Sequence, residues 1–176
     1  RFRYELTGRV SAGENVLCVR AEHKHLADSR WFTGAGIYRE VTLTVVDRVA
    51  VEDVYAYTVS ATREAAEIAV CARVTAGAAA FRLLDADGNE AAAAQGAPDG
   101  GDPYRQTARL RVNNPRLWSP ESPALYRLTC TLSENGKTTD ELCVPFGVRT
   151  FRFDPDHGFF LNGENRKLKG VCLHAD

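Results

Sequence analysis

Hydrophobic and polar residues alternate along most of this chain with a period of two. The segment 37–46, IYREVTLTVV, places three aliphatic residues on one side and two threonines on the other. Such alternation is typical of half-buried β-strands, because successive side chains of a strand point to opposite faces. Short segments of the same kind at 2–6 and 15–22 are therefore also predicted to be strands.

From residue 49 onwards the alternation recurs at close spacing and predicts an all-β domain. Seven strands are predicted, at 49–58, 66–75, 80–85, 89–95, 104–112, 124–133 and 138–144. Asp87-Gly88 and Asn135-Gly136 are typical hairpin turns, and residues 96–103 have the composition of a loop. Seven short strands in about a hundred residues indicate an immunoglobulin-like β-sandwich over 48–146.

One of these segments, 89–95, has two interpretations. It contains four consecutive alanines, and alanine is the best helix former, so a helical turn is one of them. The segments on both sides of it are predicted strands, however. We therefore predict a strand here as well, in keeping with its neighbours.

Composition and charge exclude several classes of protein. The 176 residues are 44% hydrophobic and 26% charged, with a net charge of −1 at pH 7, as in ordinary globular domains. No basic surplus favours nucleic acid, and no apolar run approaches the roughly 18 residues of a membrane span. We therefore expect neither nucleic acid nor membrane as a partner. The absence of methionine predicts a chain processed or cut from a longer parent.

The five cysteines contain no CxxC pair, so neither a zinc site nor a redox motif is indicated. A disulfide between Cys71 and Cys130, as in immunoglobulin domains, would require both side chains to point inward. The alternation directs Cys130 inward but places Cys71 on the outward side with Glu67 and Arg73. No disulfide is therefore expected, and free thiols favour a reducing, cytoplasmic location.

The segment 28–41, DSRWFTGAGIYREV, carries the richest local chemistry, and its glycines permit a tight turn before a strand. An exposed Arg30 beside Trp31 and Phe32 would suit a ligand contact, since such residues are common in recognition sites. The alternative is that both aromatic rings fill a core while Arg30 pairs with a surface carboxylate. The residues alone favour this second interpretation.

The segment 114–126, NPRLWSPESPALY, is predicted to be a stiff structural crossover. Its three prolines fix extended backbone and remove hydrogen-bond donors. Trp118 and Tyr126 are large enough to anchor the segment against one end of the sandwich. We therefore expect no catalytic chemistry in it.

His174 and Asp176 leave three interpretations open. They suit the start of a metal site, an acid–base pair, or an ordinary strand end. The other histidines lie at no helix-borne metal spacing, and the chain contains neither a GxSxG nucleophile motif nor a phosphate loop. Neither a cofactor nor a metal ligand is therefore predicted for this chain.

Three segments together resemble glycoside hydrolase family 2, which comprises β-galactosidases, β-glucuronidases and β-mannosidases. GENVLCVRAE with SRWFTGAGIYREVTL (13–22 and 29–43) is similar to the end of the family's jelly-roll sugar-binding domain. NPRLWSPESPALYRL (114–128) is similar to the proline–tryptophan signature of its second domain, and FGVRTFRFDPDHGFFLNGENRKLKGVCLHAD (146–176) to the first hairpin of its (β/α)8 barrel. The resemblance implies three parts: jelly-roll strands at 1–47, the sandwich at 48–146, and linker with barrel hairpin at 147–176.

The resemblance also implies an activity for a parent protein. Family members are retaining glycosidases that use two glutamates on barrel strands, and the resemblance places both beyond Asp176. We therefore expect a catalytically inert scaffold segment of a glycosidase acting on terminal β-linked sugars, with β-galactosidase as the first expectation. The alternative is a stand-alone carbohydrate-binding or adhesion module, with Trp31 and Phe32 as its platform.

Two residues are implied as substrate-binding positions on the rim of the parent's active site. His174 in GVCLH matches a sugar-contacting histidine of the family's GVNRH-type motif, although Cys172 and Leu173 replace the common Asn and Arg. Arg30 stands where several members carry a sugar-contacting aspartate. It can donate bidentate hydrogen bonds but cannot ligate a cation. Flanking strands without partners also predict self-association through exposed edges.

Overall fold

The computed structural model describes residues 3–22, 36–37 and 39–172. Within these residues the chain is all β, and no helix is long and apolar enough to span a membrane. The strands are β1 Val51–Ala61, β2 Ala65–Val74, β3 Ala78–Leu84, β4 Glu90–Gln95, β5 Ala97–Asp99, β6 Asp102–Asn113, β7 Tyr126–Glu134, β8 Lys137–Phe146, β9 Phe151–Asp154, β10 Gly158–Leu161 and β11 Glu164–Asn165.

The chain divides into two compact units. One unit comprises Arg1–Leu43 with Gly170–Asp176, and the other is Thr44–Lys169, which contains all eleven strands. The division predicted from the sequence, with boundaries after residues 47 and 146, stays a prediction.

The unit Thr44–Lys169 is built on two four-stranded antiparallel sheets, in the orders β1-β2-β6-β5 and β4-β3-β7-β8. Their inner faces share one core, in which Ile68 of the first sheet and Phe81, Leu83 and Leu128 of the second are fully buried. This arrangement confirms the predicted all-β sandwich. The alanine-rich β4 is a strand because it completes the edge of the second sheet beside β3.

The segment predicted as a loop at 96–103 contains a strand that the sequence analysis missed. β4 pairs in one sheet while β5 pairs with β6 in the other, so the chain changes sheets at Gly96. A Cβ atom at Gly96 would lie 3.0 Å from the Ala79 carbonyl oxygen and 3.2 Å from the Phe81 ring. Only glycine fits this crossing without displacing its neighbours.

No strand forms among the described residues before Val51. The predictions of strands within 2–6, 15–22 and 37–46 were therefore wrong for the described residues of these segments. Their apolar side chains are open to solvent: Val16 is 81% exposed and Val45 is 85% exposed. A strand requires a neighbouring strand to satisfy its backbone groups. The alternation in these segments places apolar side chains on one face, which is what a half-buried strand needs. No described strand pairs with these segments, however, so the alternation alone does not make them strands.

The cysteine prediction is confirmed. All five cysteines are free, Cys130 is fully buried, and Cys71 is half-buried on the outer side of β2. Burial, with a smaller contribution from the Asp140 carboxylate, raises the pKa of the Cys130 thiol to about 12. Cys130 is therefore an inert packing residue at neutral pH.

Candidate functional site

Both residues predicted to contact sugar, Arg30 and His174, lie outside the described residues, as do Trp31 and Phe32. Their roles therefore stay predictions. Within the described ranges no group of three or more His, Cys, Asp or Glu side chains could hold a metal ion. The candidate site within the described residues is the junction between the sandwich and the small sheet formed by β9, β10 and β11. Specific hydrogen bonds join separate segments of the chain there.

The crossover segment 114–125 is fixed to the end of the sandwich by two backbone contacts. The Trp118 amide donates to the Val148 carbonyl at 2.8 Å, and the Arg116 amide donates to the Tyr126 hydroxyl at 2.9 Å. Tyr126 and Val148 are 5% and 0% exposed. The predicted anchoring by Trp118 and Tyr126 is therefore confirmed, and it uses the backbone of the proline-rich segment as well as its side chains.

Gly147 makes the closest approach at this junction. A Cβ atom on Gly147 would lie 2.9–3.0 Å from three atoms of Trp118, closer than real side chains come. The Arg149 guanidinium lies 4.4 Å from the Trp118 ring centroid, a cation–π distance. The absence of a side chain at 147 therefore lets the chain leaving β8 pack directly on Trp118.

Asn162 ties the β10–β11 turn to both of these segments. It adopts φ 51° beside Gly163 at φ 84°, the left-handed pair that an Asn-Gly hairpin requires. Its amide oxygen accepts from the Thr150 amide at 3.0 Å, and its amide nitrogen donates to the Trp118 carbonyl at 3.0 Å. Its own backbone amide donates to the Thr150 carbonyl at 2.8 Å. One residue thus forms the turn and fastens it.

Arg166 adds an ionic contact between β11 and the crossover. Its guanidinium pairs with Glu121 on the crossover and with Glu164 beside the turn. Glu121 and Glu164 in turn raise the pKa of Arg166. Surface pairs of this kind contribute little stability, so Arg166 mainly orients the two segments.

The β9–β10 turn has an acid-sensitive cluster around Asp154. The His157 side chain, with Nδ1 2.9 Å from Asp154 Oδ1, and the Arg152 guanidinium at 2.8 Å lower the pKa of Asp154 from 3.8 to about 2. A lowered folded-state pKa stabilises the fold above the unfolded value and loses that contribution as pH falls.

We therefore expect the β9–β10 turn to loosen as pH falls from 3.8 towards 2. The amides of Asp156 and His157, which donate to Asp154, should lose protection relative to unstructured peptide over that interval, whereas the sandwich strand β7 should keep its protection. Asp154→Asn, which has no carboxyl group to protonate, should show no such loss over this interval. Equal acid sensitivity of the wild type and Asp154→Asn would contradict this assignment.

The reaction of a retaining glycosidase needs two carboxyls roughly 5–5.5 Å apart, one of them with a raised pKa. The described carboxyls with shifted pKa values all have them lowered: Glu5, Glu64, Asp85, Glu121 and Asp154. A cleft of about 270 Å³ beside Tyr126 is smaller than the ~300–1,000 Å³ of ordinary ligand pockets.

Comparison with known proteins places this chain in one family. The family model described as "Glycosyl hydrolases family 2" matches residues 49–149, which contain β1 to β8. β-Galactosidase BoGH2A of Bacteroides ovatus is 35% identical and covers 99% of this chain, but the match covers 22% of that protein. A β-glucuronidase of Bacteroides fragilis is 34% identical over 99% of this chain and 28% of its own length.

Solved structures agree with these sequence matches. A family 2 glycosyl hydrolase from Bacteroides cellulosilyticus has a TM-score of 0.73 and 31% identity, over 84% of this chain and 20% of that one. A Ruminococcus gnavus β-glucuronidase has a TM-score of 0.60 and 25% identity, over 69% and 20%. The matches therefore span between 20% and 28% of the length of these relatives.

Proposed function

Since this chain belongs to family 2 of the glycosyl hydrolases, we propose that it is a scaffold segment of a retaining β-glycosidase. Relatives named β-galactosidase and β-glucuronidase support the hydrolase class. The lowered pKa values of the shifted carboxyls are consistent with our proposal that the described residues supply no glycosidase acid–base pair. In this proposal the sandwich braces the catalytic domain, which itself cleaves terminal β-linked sugars.

The observation that carries the scaffold role is the three-point attachment of Asn162. The amide group of one turn residue binds Thr150 and Trp118 at once, at 3.0 Å each. A short hairpin alone is marginally stable and would move freely. Fastened in this way, the β10–β11 hairpin takes its orientation from the sandwich, as a support for an adjoining catalytic domain requires.

For the sugar, we propose a β-galactoside, with a β-glucuronide as the second candidate. Two of the most similar relatives carry these two names at nearly equal identity, 35% and 34%. Arg30, which we propose as a rim residue together with His174, would pair with a uronate carboxylate more strongly than with neutral hydroxyls. Activity on nitrophenyl β-galactoside and β-glucuronide separates the two candidates.

The substitution Asn162→Gly tests the scaffold role. It is made in the protein that the complete reading frame encodes. Glycine keeps the left-handed turn but removes both amide contacts, so the hairpin should lose its fixed orientation. We expect kcat/KM to fall about tenfold, because small misplacements of a catalytic framework cost large factors in rate. Steady-state kinetics with the better of the two nitrophenyl glycosides provides the measurement.

Asn135→Gly is the matched control. Asn135 occupies the same left-handed position, φ 52°, in the Asn-Gly turn between β7 and β8. This substitution should leave kcat/KM unchanged. Equal kinetics for Asn162→Gly and wild type, with both proteins folded, would refute the scaffold role.

A further inference from the structure

One face of the small β9–β10–β11 sheet is apolar and largely open to solvent. The strand register pairs Phe151 with Leu161 and Phe153 with Phe159. Paired residues share a side of the sheet, so these four side chains form one surface, which we call the phenylalanine face. Leu161 is 5% exposed, but Phe151 and Phe153 are 64% and 69% exposed. Their ring centroids lie 6.3 Å apart, and both lie within 6.5 Å of the Phe159 centroid.

The opposite face of this sheet is the side suited to solvent. Arg152 lies there beside Phe160, its partner in the register, and its guanidinium is 3.6 Å from the Phe160 ring centroid. Asp154, on the same side, pairs with Arg152 at 2.8 Å. An antiparallel sheet commonly turns its polar side to water and its apolar side to another packed layer. The phenylalanine face is therefore the side suited to packing against a further layer.

The size of the phenylalanine face favours a covalently linked occupant over a second copy of the chain. An aromatic side chain buries ~150–250 Å², so two rings at about two-thirds exposure offer on the order of 250 Å² per molecule. Two such faces in contact would bury roughly 500 Å², against the ~1,200–2,000 Å² of stable complexes. A domain of the same polypeptide is held at a high effective concentration, so a smaller apolar contact can dock it.

The relatives are long enough to contain such a domain. The matched region covers 22% of the Bacteroides ovatus β-galactosidase and 28% of the Bacteroides fragilis β-glucuronidase, so most of each of those proteins lies outside it. In this chain, Asn162 and Arg166 fasten the small sheet to the crossover segment. These contacts fix the direction of the phenylalanine face relative to the sandwich, as a docking surface requires.

We propose that the phenylalanine face docks against the catalytic domain of the same polypeptide. Phe151 and Phe153 would pack against apolar side chains of that domain, while Arg152 and Asp154 stay in water. This contact rests on the proposed function, which requires a catalytic domain, and it adds the surface through which the sandwich braces that domain.

Hydroxyl-radical footprinting of the 176-residue chain and of the product of the complete reading frame tests this contact on unmodified proteins. Phe151 and Phe153 should be oxidised about fivefold more slowly in the complete product, because docking removes most of their exposed ring surface from water. Phe160, on the opposite face, should react equally in both proteins. Equal oxidation of Phe151 and Phe153 in the two proteins would overturn the proposal. Protection that appears on concentrating the 176-residue chain alone would also overturn it, by identifying a contact between copies.

A photo-crosslink identifies what covers the phenylalanine face. With p-benzoylphenylalanine in place of Phe153, the complete product should crosslink within one molecule, to a peptide of the domain that carries the two catalytic glutamates. Capture of another domain or of a second molecule would refute the proposal. Hydrolysis of the nitrophenyl glycosides is measured on the unmodified product. Protection and the expected crosslink without hydrolysis would refute the proposed function but support this contact, whereas hydrolysis with unprotected rings would refute the contact alone.

Discussion

Gln106→Leu should destabilise the chain by about 2–4 kcal/mol, because it leaves two backbone groups without partners. Gln106 is 5% exposed and points from β6 into the core. Its amide oxygen accepts from the Ala79 amide at 2.9 Å, and its amide nitrogen donates to the Gly77 carbonyl at 2.7 Å. It is thus a polar link between the two sheets, and leucine can replace its volume but not its bonds.

Urea unfolding followed by tryptophan fluorescence measures this loss. Thr107→Val is the matched control, since the adjacent residue faces outward and has no side-chain hydrogen bond among the described residues. It should change the free energy of unfolding by less than about 0.5 kcal/mol. If Gln106→Leu were as stable as this control, the inter-sheet link would have no energetic role.

Gly147→Ala should cost about 1–3 kcal/mol, because it forces a methyl group into Trp118. The contact would be 2.9–3.0 Å to three Trp118 atoms, so the ring must move. Trp118 in turn holds Val148 and Asn162. We therefore expect lost amide protection across the β10–β11 turn as well as a lower free energy of unfolding.

A double-mutant cycle isolates the cause of this effect. In a Trp118→Ala background the added methyl group has room, so Gly147→Ala should then cost little. Gly170→Ala provides the control, since a Cβ atom there meets nothing within 4 Å. Equal cost of Gly147→Ala with and without the Trp118 ring would show that the clash is not the reason.

Most of the sandwich could be predicted from the sequence because each of its strands except β5 carries its own signal. Alternation identifies the inward residues of β6, and the Asn-Gly pairs at 135–136 and 162–163 adopt the expected positive φ values. β5 was missed because the sheet change at Gly96 depends on Ala79, Phe81 and Gln106. Contacts between residues so distant in sequence leave no local pattern.

Only part of the junction between the sandwich and the β9–β10–β11 sheet could be predicted, because it too depends on contacts between residues distant in sequence. Asn162 is recognisable as a turn residue, but its bond to the Trp118 carbonyl joins positions 44 residues apart. Gln106 did leave a signal that the sequence analysis overlooked, as a polar residue at an inward position of an alternating strand. The assignment of Arg30 and His174 to the rim of a parent's active site came from the resemblance, and both residues lie outside the described ones.

A side-by-side assay of the 176-residue chain and the product of its complete reading frame tests the central claim most directly. Both are incubated with nitrophenyl β-galactoside and nitrophenyl β-glucuronide at equal concentration. The scaffold account predicts that the complete product releases nitrophenol from one of them, while the 176-residue chain, although folded, matches buffer. Turnover by the chain alone, or no turnover by the complete product, would contradict it.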